Sequence, residues 1–149
     1  MLIYDAATLA EMHRICKRHD VLFIADEVMT AFGRTGTLFA SEQAKIAPDI
    51  ICVAKGITGG SIPLAATLCT EAIFDAHYSQ DRSRMFFHSS SYTANPIACA
   101  AAAANLDIWR SEPVLSRIDA VSKAQATCLA QIANDPRFEN ARQIGTIAA

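Results

Sequence analysis

The sequence predicts an α/β fold built on a mostly parallel sheet, and three observations carry that reading. Two short apolar runs, Val21 to Ala25 and Ile50 to Val53, have no wet face in their pattern, which is how strands covered on both sides read. An amphipathic helical stretch precedes the first run. Asn95-Pro96 and Glu112-Pro113 then open two further helical segments, so helices and strands alternate along the chain.

From Asp5 to His19, the residues Leu9, Met12, Ile15 and Cys16 recur at helical spacing, with Asp5 or Thr8 as the N-cap. The run Val21 to Ala25 follows as a buried strand bounded by charges. Gly33 and Gly36 mark a turn, and Phe39 to Ala44 reads as a short helix. Pro48-Asp49 introduces the second buried strand. A third run, Leu64 to Leu68, arrives only about ten residues after it, past Gly59-Gly60 and Pro63, too short a gap for a helical crossover, so this strand is expected to be an antiparallel neighbour. Glu71 to His77 reads as a short helix and Ser79 to Arg84 as an exposed loop. Asn95 caps, and Pro96 begins, an alanine-rich helix to Trp109. Val114, Ile118, Val121, Leu129 and Ile132 fit a long amphipathic helix reaching about Ala133.

Composition narrows the function. The chain has 149 residues, the size of one domain, and 52% are hydrophobic, which excludes disorder. Its 13 basic and 15 acidic residues are scattered, so neither nucleic acid nor a charged membrane surface is an expected partner. The longest apolar stretch, Ile97 to Ala104, is far short of the roughly 20 residues that span a bilayer, and no targeting segment is read. Cys16, Cys52, Cys69, Cys99 and Cys128 are widely spaced with no CxxC pair; neither disulfides nor zinc is expected, a reducing cytoplasm is the default location, and the thiols read as buried fillers. His13, His19, His77 and His88 lack metal-ligand spacing.

Two strand ends carry candidate chemistry. Asp26 and Glu27 stand at the C-terminal end of the first buried run, where open α/β sheets bind ligands. The plainer alternative is that Asp26 caps the turn and Glu27 is solvated. Lys55 ends the second run, followed by Gly56 and Thr58-Gly59-Gly60. A lysine amine in an apolar site suits Schiff-base chemistry, although a strand-end lysine alone reads more simply as a snorkelling surface residue. Together, an amine for an aldehyde and a carboxylate for a pyridinium nitrogen are the pair that pyridoxal 5′-phosphate chemistry requires. The run His88 to Pro96 places hydroxyls and amides before a helix N-terminus, a place that favours phosphate; it also fits an ordinary capped loop. Neither GxxxxGK[ST] nor GxGxxG occurs, which disfavours P-loop and Rossmann nucleotide binders.

Three segments, Asp26 to Gly36, Lys55 to Gly60 and Asn95 to Ala101, closely resemble the class III aminotransferases in order and spacing. The resemblance implies the fold-type I architecture, with residues 1–111 forming part of the large pyridoxal-phosphate domain and residues 112–149 the long helix and the start of a small C-terminal domain. It implies that Asp26 pairs with the ring nitrogen and that Lys55 forms the Schiff base. Ser91 falls where the family has a threonine that binds the cofactor phosphate of the neighbouring subunit, with Ser90 beside it, so a homodimer with shared active sites is expected. Its substrates would be a small amine donor and a keto acceptor. Ala31 and Ala94 stand where family members often have glycine. The family's Gly-Ser phosphate loop, its ring-stacking aromatic and its carboxylate-binding arginine have no counterpart in these 149 residues. The resemblance therefore implies part of a longer enzyme, which alone binds cofactor weakly and turns nothing over. Its rivals are an ω-amine or ornithine-type enzyme of the same family and a non-catalytic fragment.

Overall fold

A computed structural model describes residues 3–88 and 90–149. The chain runs α1 (Ala6–Arg18), β1 (Ile24–Asp26), α2 (Ala40–Gln43), β2 (Ile50–Ala54), a 3₁₀ turn (Lys55–Thr58), β3 (Ala65–Cys69), α3 (Glu71–His77), α4 (Pro96–Ser111), α5 (Val114–Ile132), β4 (Gln143–Ile144) and β5 (Ile147–Ala148). The central sheet has the order β1-β2-β3, with β1 and β2 parallel and β3 antiparallel to β2. The short connection into β3 thus has the consequence expected of it.

Local chemistry starts the helices. Asp5 is the N-cap of α1, its Oδ1 accepting from the Thr8 N–H at 2.7 Å, while Lys17 and Arg18 occupy the last turn, where the helix dipole favours cations. Asn95 caps α4, its Oδ1 accepting from Ile97 and Ala98 N–H groups at 3.0 and 3.3 Å, with Pro96 at the first helical position.

The parallel pair is pinned where its strands begin. Asp49 is buried; its Oδ2 accepts from the Phe23 N–H at 2.8 Å, and its own N–H donates to the Phe23 carbonyl at 3.0 Å. Lys17 Nζ reaches its other oxygen. The lysine hydrogen bond, and next the Phe23 amide, hold the Asp49 carboxyl below its ordinary pKa of 3.8. These contacts set the register Ile24↔Ile50, Ala25↔Ile51, Asp26↔Cys52.

Several burial expectations are corrected. Phe23 and Val53 are buried, but Val21, Leu22 and Ile24 are exposed by 53%, 58% and 59%, so the run is not the strand covered on both faces that its pattern suggests. The cysteines are not buried fillers: Cys16 and Cys52 are half-buried, and Cys69, Cys99 and Cys128 are exposed. The chain exposes 10486 Å² for its 16.1 kDa, where compact monomers of that mass expose roughly 7,400 Å². Apolar faces that a self-contained domain covers are bare here.

At the other end, β4 and β5 form a two-stranded hairpin that the sequence pattern did not predict. It sits between α5 and the loop at Arg34. Ser122 Oγ donates to the Gly145 carbonyl at 2.8 Å, and the Thr146 N–H donates to the Arg34 carbonyl at 2.9 Å. Gly145 has φ +53°, and a Cβ there would lie 2.4 Å from the Arg34 carbonyl oxygen, so only glycine lets the two backbones meet. Among the described residues no helix is long and apolar enough to cross a membrane.

Candidate active site

Asp26 is the last residue of β1, and Lys55 is the first residue beyond β2. Since β1 and β2 are parallel neighbours, both side chains arise at the same edge of the sheet. Asp26 pairs in register with Cys52, so Lys55 lies three residues further on, about 11 Å away between Cα positions at the usual strand rise and spacing. That gap accommodates one flat ring between an amine and a carboxylate.

Both groups are exposed and available. Asp26 Oδ1 accepts from the Val28 N–H at 3.0 Å, the turn-capping contact foreseen as the plainer reading; it leaves the second carboxylate oxygen without a partner among the described residues. Lys55 Nζ makes no hydrogen bond or ion pair with any described residue, Asp26 included. An acceptor for a protonated ring nitrogen and a free primary amine are the donor set that pyridoxal phosphate takes, so the residues present fit that group.

Glu27 does something else, and the expectation of a solvated carboxylate is corrected. It is only 3% exposed. Its oxygens accept from the Ala40 and Ser41 N–H groups at 3.0 and 2.8 Å and from the Thr30 hydroxyl. Phe39, the residue before α2, offers no side-chain cap, so Glu27 supplies it from 13 residues upstream. A carboxylate beside Asp26 is thereby used to fold the loop that follows β1.

Ser90 and Ser91 lie exposed in the turns ahead of α4, with the Ser90 carbonyl accepting from the Thr93 N–H at 3.1 Å. Ser89, part of the same polar run, lies outside the described residues. Among the described residues no hydrogen bond joins either serine to Asp26 or Lys55. The amide groups expected to be free here are also spent: Pro96 has no N–H, and those of Ile97 and Ala98 are taken by Asn95 Oδ1. Phosphate at this end would rely on the hydroxyls and the helix dipole.

Sequence reading missed how the Lys55 turn is held. Asn105 of α4 donates through Nδ2 to the carbonyls of Gly56 at 2.9 Å and Ile57 at 3.1 Å. Thr58 is buried, and its hydroxyl donates to the Ile62 carbonyl at 2.6 Å. An asparagine closing an alanine run is the sole sequence trace of the first contact. Among the described residues no group of three or more His, Cys, Asp or Glu side chains is placed to hold a metal.

Beside this strand-end lysine and strand-end carboxylate on adjacent parallel strands, the whole of residues 1–149 matches the family described as Aminotransferase class-III. The chain belongs to that family, whose fold-type I architecture its mixed α/β sheet shares. It is similar to the adenosylmethionine-8-amino-7-oxononanoate aminotransferase of Nitratidesulfovibrio vulgaris, with 43% identity over 99% of this chain and 27% of that protein. The solved structure of the enzyme of that name from Methanocaldococcus jannaschii superposes with a TM-score of 0.93 at 35% identity, covering 99% of this chain and 35% of that one. An amine transaminase from an uncultivated Pseudomonas species, solved in its pyridoxal-phosphate-bound internal aldimine form, gives 0.82 at 39% identity over 94% of this chain and 32% of that one. The chain thus spans about a third of the length of the relatives it matches.

Proposed function

We propose that this chain is the lysine-bearing third of a class III aminotransferase that moves an amino group from S-adenosylmethionine to 8-amino-7-oxononanoate, giving 7,8-diaminononanoate for biotin synthesis. The observation that carries the reading is the free Lys55 amine and the Asp26 carboxylate, one of whose oxygens is free, at the same end of two adjacent parallel strands. Residues 1–111 would contribute to the large domain, and residues 112–149 the long helix and the beginning of the small one. Bare apolar faces on β1 and a total surface larger than a compact monomer needs support a chain completed by further polypeptide.

Pyridoxal phosphate, when bound, supplies an aldehyde for an amine and a ring that accepts the electron pair left by a departing proton. Asp26 would accept from the ring nitrogen, and its negative charge would favour the protonated ring. Lys55 would hold the group through its amine, and as a free amine would serve as the base that takes up and returns a proton. Ser91, with Ser90 beside it, offers hydroxyls to the cofactor phosphate of a neighbouring subunit, so the working unit is a homodimer with shared sites, in the cytoplasm.

An ω-amine donor is the second reading, favoured by the likeness to the amine transaminase at 39% identity. Lys55→Ala in the full-length enzyme carrying this segment is expected to abolish the visible absorbance of lysine-bound cofactor together with turnover. Unchanged absorbance and turnover would refute the assignment. In the unsubstituted enzyme, a panel of S-adenosylmethionine, ornithine and simple ω-amines then separates the two donors by which one releases the amino group.

A further inference from the structure

We propose that Asn105 is a positioning residue for Lys55: its side-chain amide ties the turn that carries the lysine to helix α4 and so fixes the direction in which the amine leaves the sheet. The inference rests on the reading of Lys55 as the cofactor-binding amine.

The backbone at Lys55 is the starting point. Its φ is +49°, in the left-handed region that side chains with a Cβ rarely adopt, and the four residues from Lys55 form a 3₁₀ turn, whose hydrogen bonds are poorly aligned. Such a conformation persists only when the surroundings impose it. Within the turn, Gly59 N–H donates to the Gly56 carbonyl at 3.0 Å, Gly60 N–H to the Lys55 carbonyl at 3.2 Å, and Ser61 Oγ to the Thr58 carbonyl at 2.8 Å. All of these bonds are local. They hold the shape of the turn but would travel with it if it rocked on the end of β2.

Two contacts tie the turn to the rest of the molecule. Phe32 lies against Gly56 so closely that a Cβ there would be 2.5 Å from Phe32 Cβ. Its ring in turn meets Trp109 of α4 edge-on, with centroids 6.0 Å apart. That contact is apolar and permits sliding. Asn105 supplies the directional one: a single NH₂ group faces two consecutive carbonyls, Gly56 and Ile57, from 48 and 49 residues away, and among the described residues it is the only side chain of another element hydrogen-bonded to the turn. Its Oδ1 would lie 3.3 Å from a Cβ at Gly59, whose left-handed φ of +62° ends the turn. Helix formation does not explain the residue, because five alanines precede it and asparagine is the poorer helix former. Alanine gives way to asparagine where α4 passes over the Lys55 turn. Asn105 makes no hydrogen bond to the Lys55 amine or to Asp26, so its role lies in the backbone from which the amine projects.

The test uses the full-length enzyme carrying this segment, freed of cofactor, and follows the rate at which added pyridoxal phosphate becomes attached to Lys55, trapped with borohydride and located by peptide mapping. Asn105→Ala removes the amide; Asn105→Asp keeps its shape but replaces the donor by a carboxylate facing two carbonyls. Both are expected to slow trapping at Lys55 by about tenfold, the scale of one well-placed hydrogen bond. Asp5→Ala, which loses the N-cap of α1 far from the turn, serves as a control that lowers Tm without slowing the trapping. Trapping rates unchanged in both Asn105 variants, or slowed equally by Asp5→Ala, would overturn the proposal and leave Asn105 as packing alone. Should the trapped cofactor in the unsubstituted enzyme map to a lysine other than Lys55, the underlying reading falls, and this inference with it; peptide mapping tells that failure from the first.

Discussion

The two places where this chain could meet a cofactor are built to different standards. Around Lys55 the structure is dense: the turn's carbonyls are all taken, Phe32 presses on Gly56, Thr58 is buried, and Asp49 locks the beginnings of β1 and β2 together. Around Ser90 and Ser91 it is sparse. Phe86, Phe87 and Tyr92 are exposed by 71%, 62% and 80%, and the polar contacts of Ser90 to Asn95 stay within a few residues of chain. One half is finished by this chain's own residues, whereas the other displays side chains with nothing of this chain to act upon. If these serines serve a neighbouring subunit, as proposed, the exposed aromatics beside them would be covered only in the assembly.

That contrast predicts where substitutions hurt, again in the full-length enzyme. Gly56→Ala is expected to have the largest effect on stability, about 1–3 kcal/mol by urea denaturation, because the new methyl meets the base of the Phe32 side chain rather than its mobile tip. Next comes Asp49→Asn, on the order of 1 kcal/mol, since it ends the Lys17 pairing but keeps an oxygen for the Phe23 amide. Its pH dependence has a definite sign. Asp49 has a depressed pKa when folded, so its contribution is present above the ordinary value of 3.8 and is lost as pH falls through the lower folded value. The gap in Tm between the variant and the parent should therefore close in acid; a gap that widened would break the argument. Ser91→Ala should move stability by less than about 0.5 kcal/mol. Its cost should appear instead in cofactor retention, weakened about tenfold for a lost hydrogen bond to phosphate. If it unfolded the protein as readily as Gly56→Ala, the distinction between the two halves would vanish.

What the sequence disclosed follows the same division between local and remote causes. Helices α1 and α4 are announced by their capping side chains and α5 by Pro113 and its apolar spacing, signals complete within a dozen or so residues, and the antiparallel place of β3 follows from loop length alone. Asp26 and Lys55 could be nominated because each ends an apolar run. The Asn105 bridge could not, since its partners lie 48 and 49 residues away and no periodicity links them. Glu27 was hidden for a related reason: a charged residue after a strand looks solvated until the chain returns at Ala40 with unpaired amides for it to cap. The apolar run at Val21 has the pattern of a strand covered on both faces. Composition records what a strand needs for cover, and the bare side of β1 shows that the cover is not in this chain's described residues.

The backbone contact at Gly145 has a consequence for the order of events during synthesis. Thr146 closes on Arg34 across 112 residues, one of the longest loops the fold contains. Closing a loop of that span is entropically costly, and its reward comes only after α4 and α5 have brought the partners together. On the ribosome, the Arg34 loop therefore emerges and waits while more than a hundred residues are added behind it. Its final shape is sealed late, by a hairpin whose arrival completes the surface beside α5.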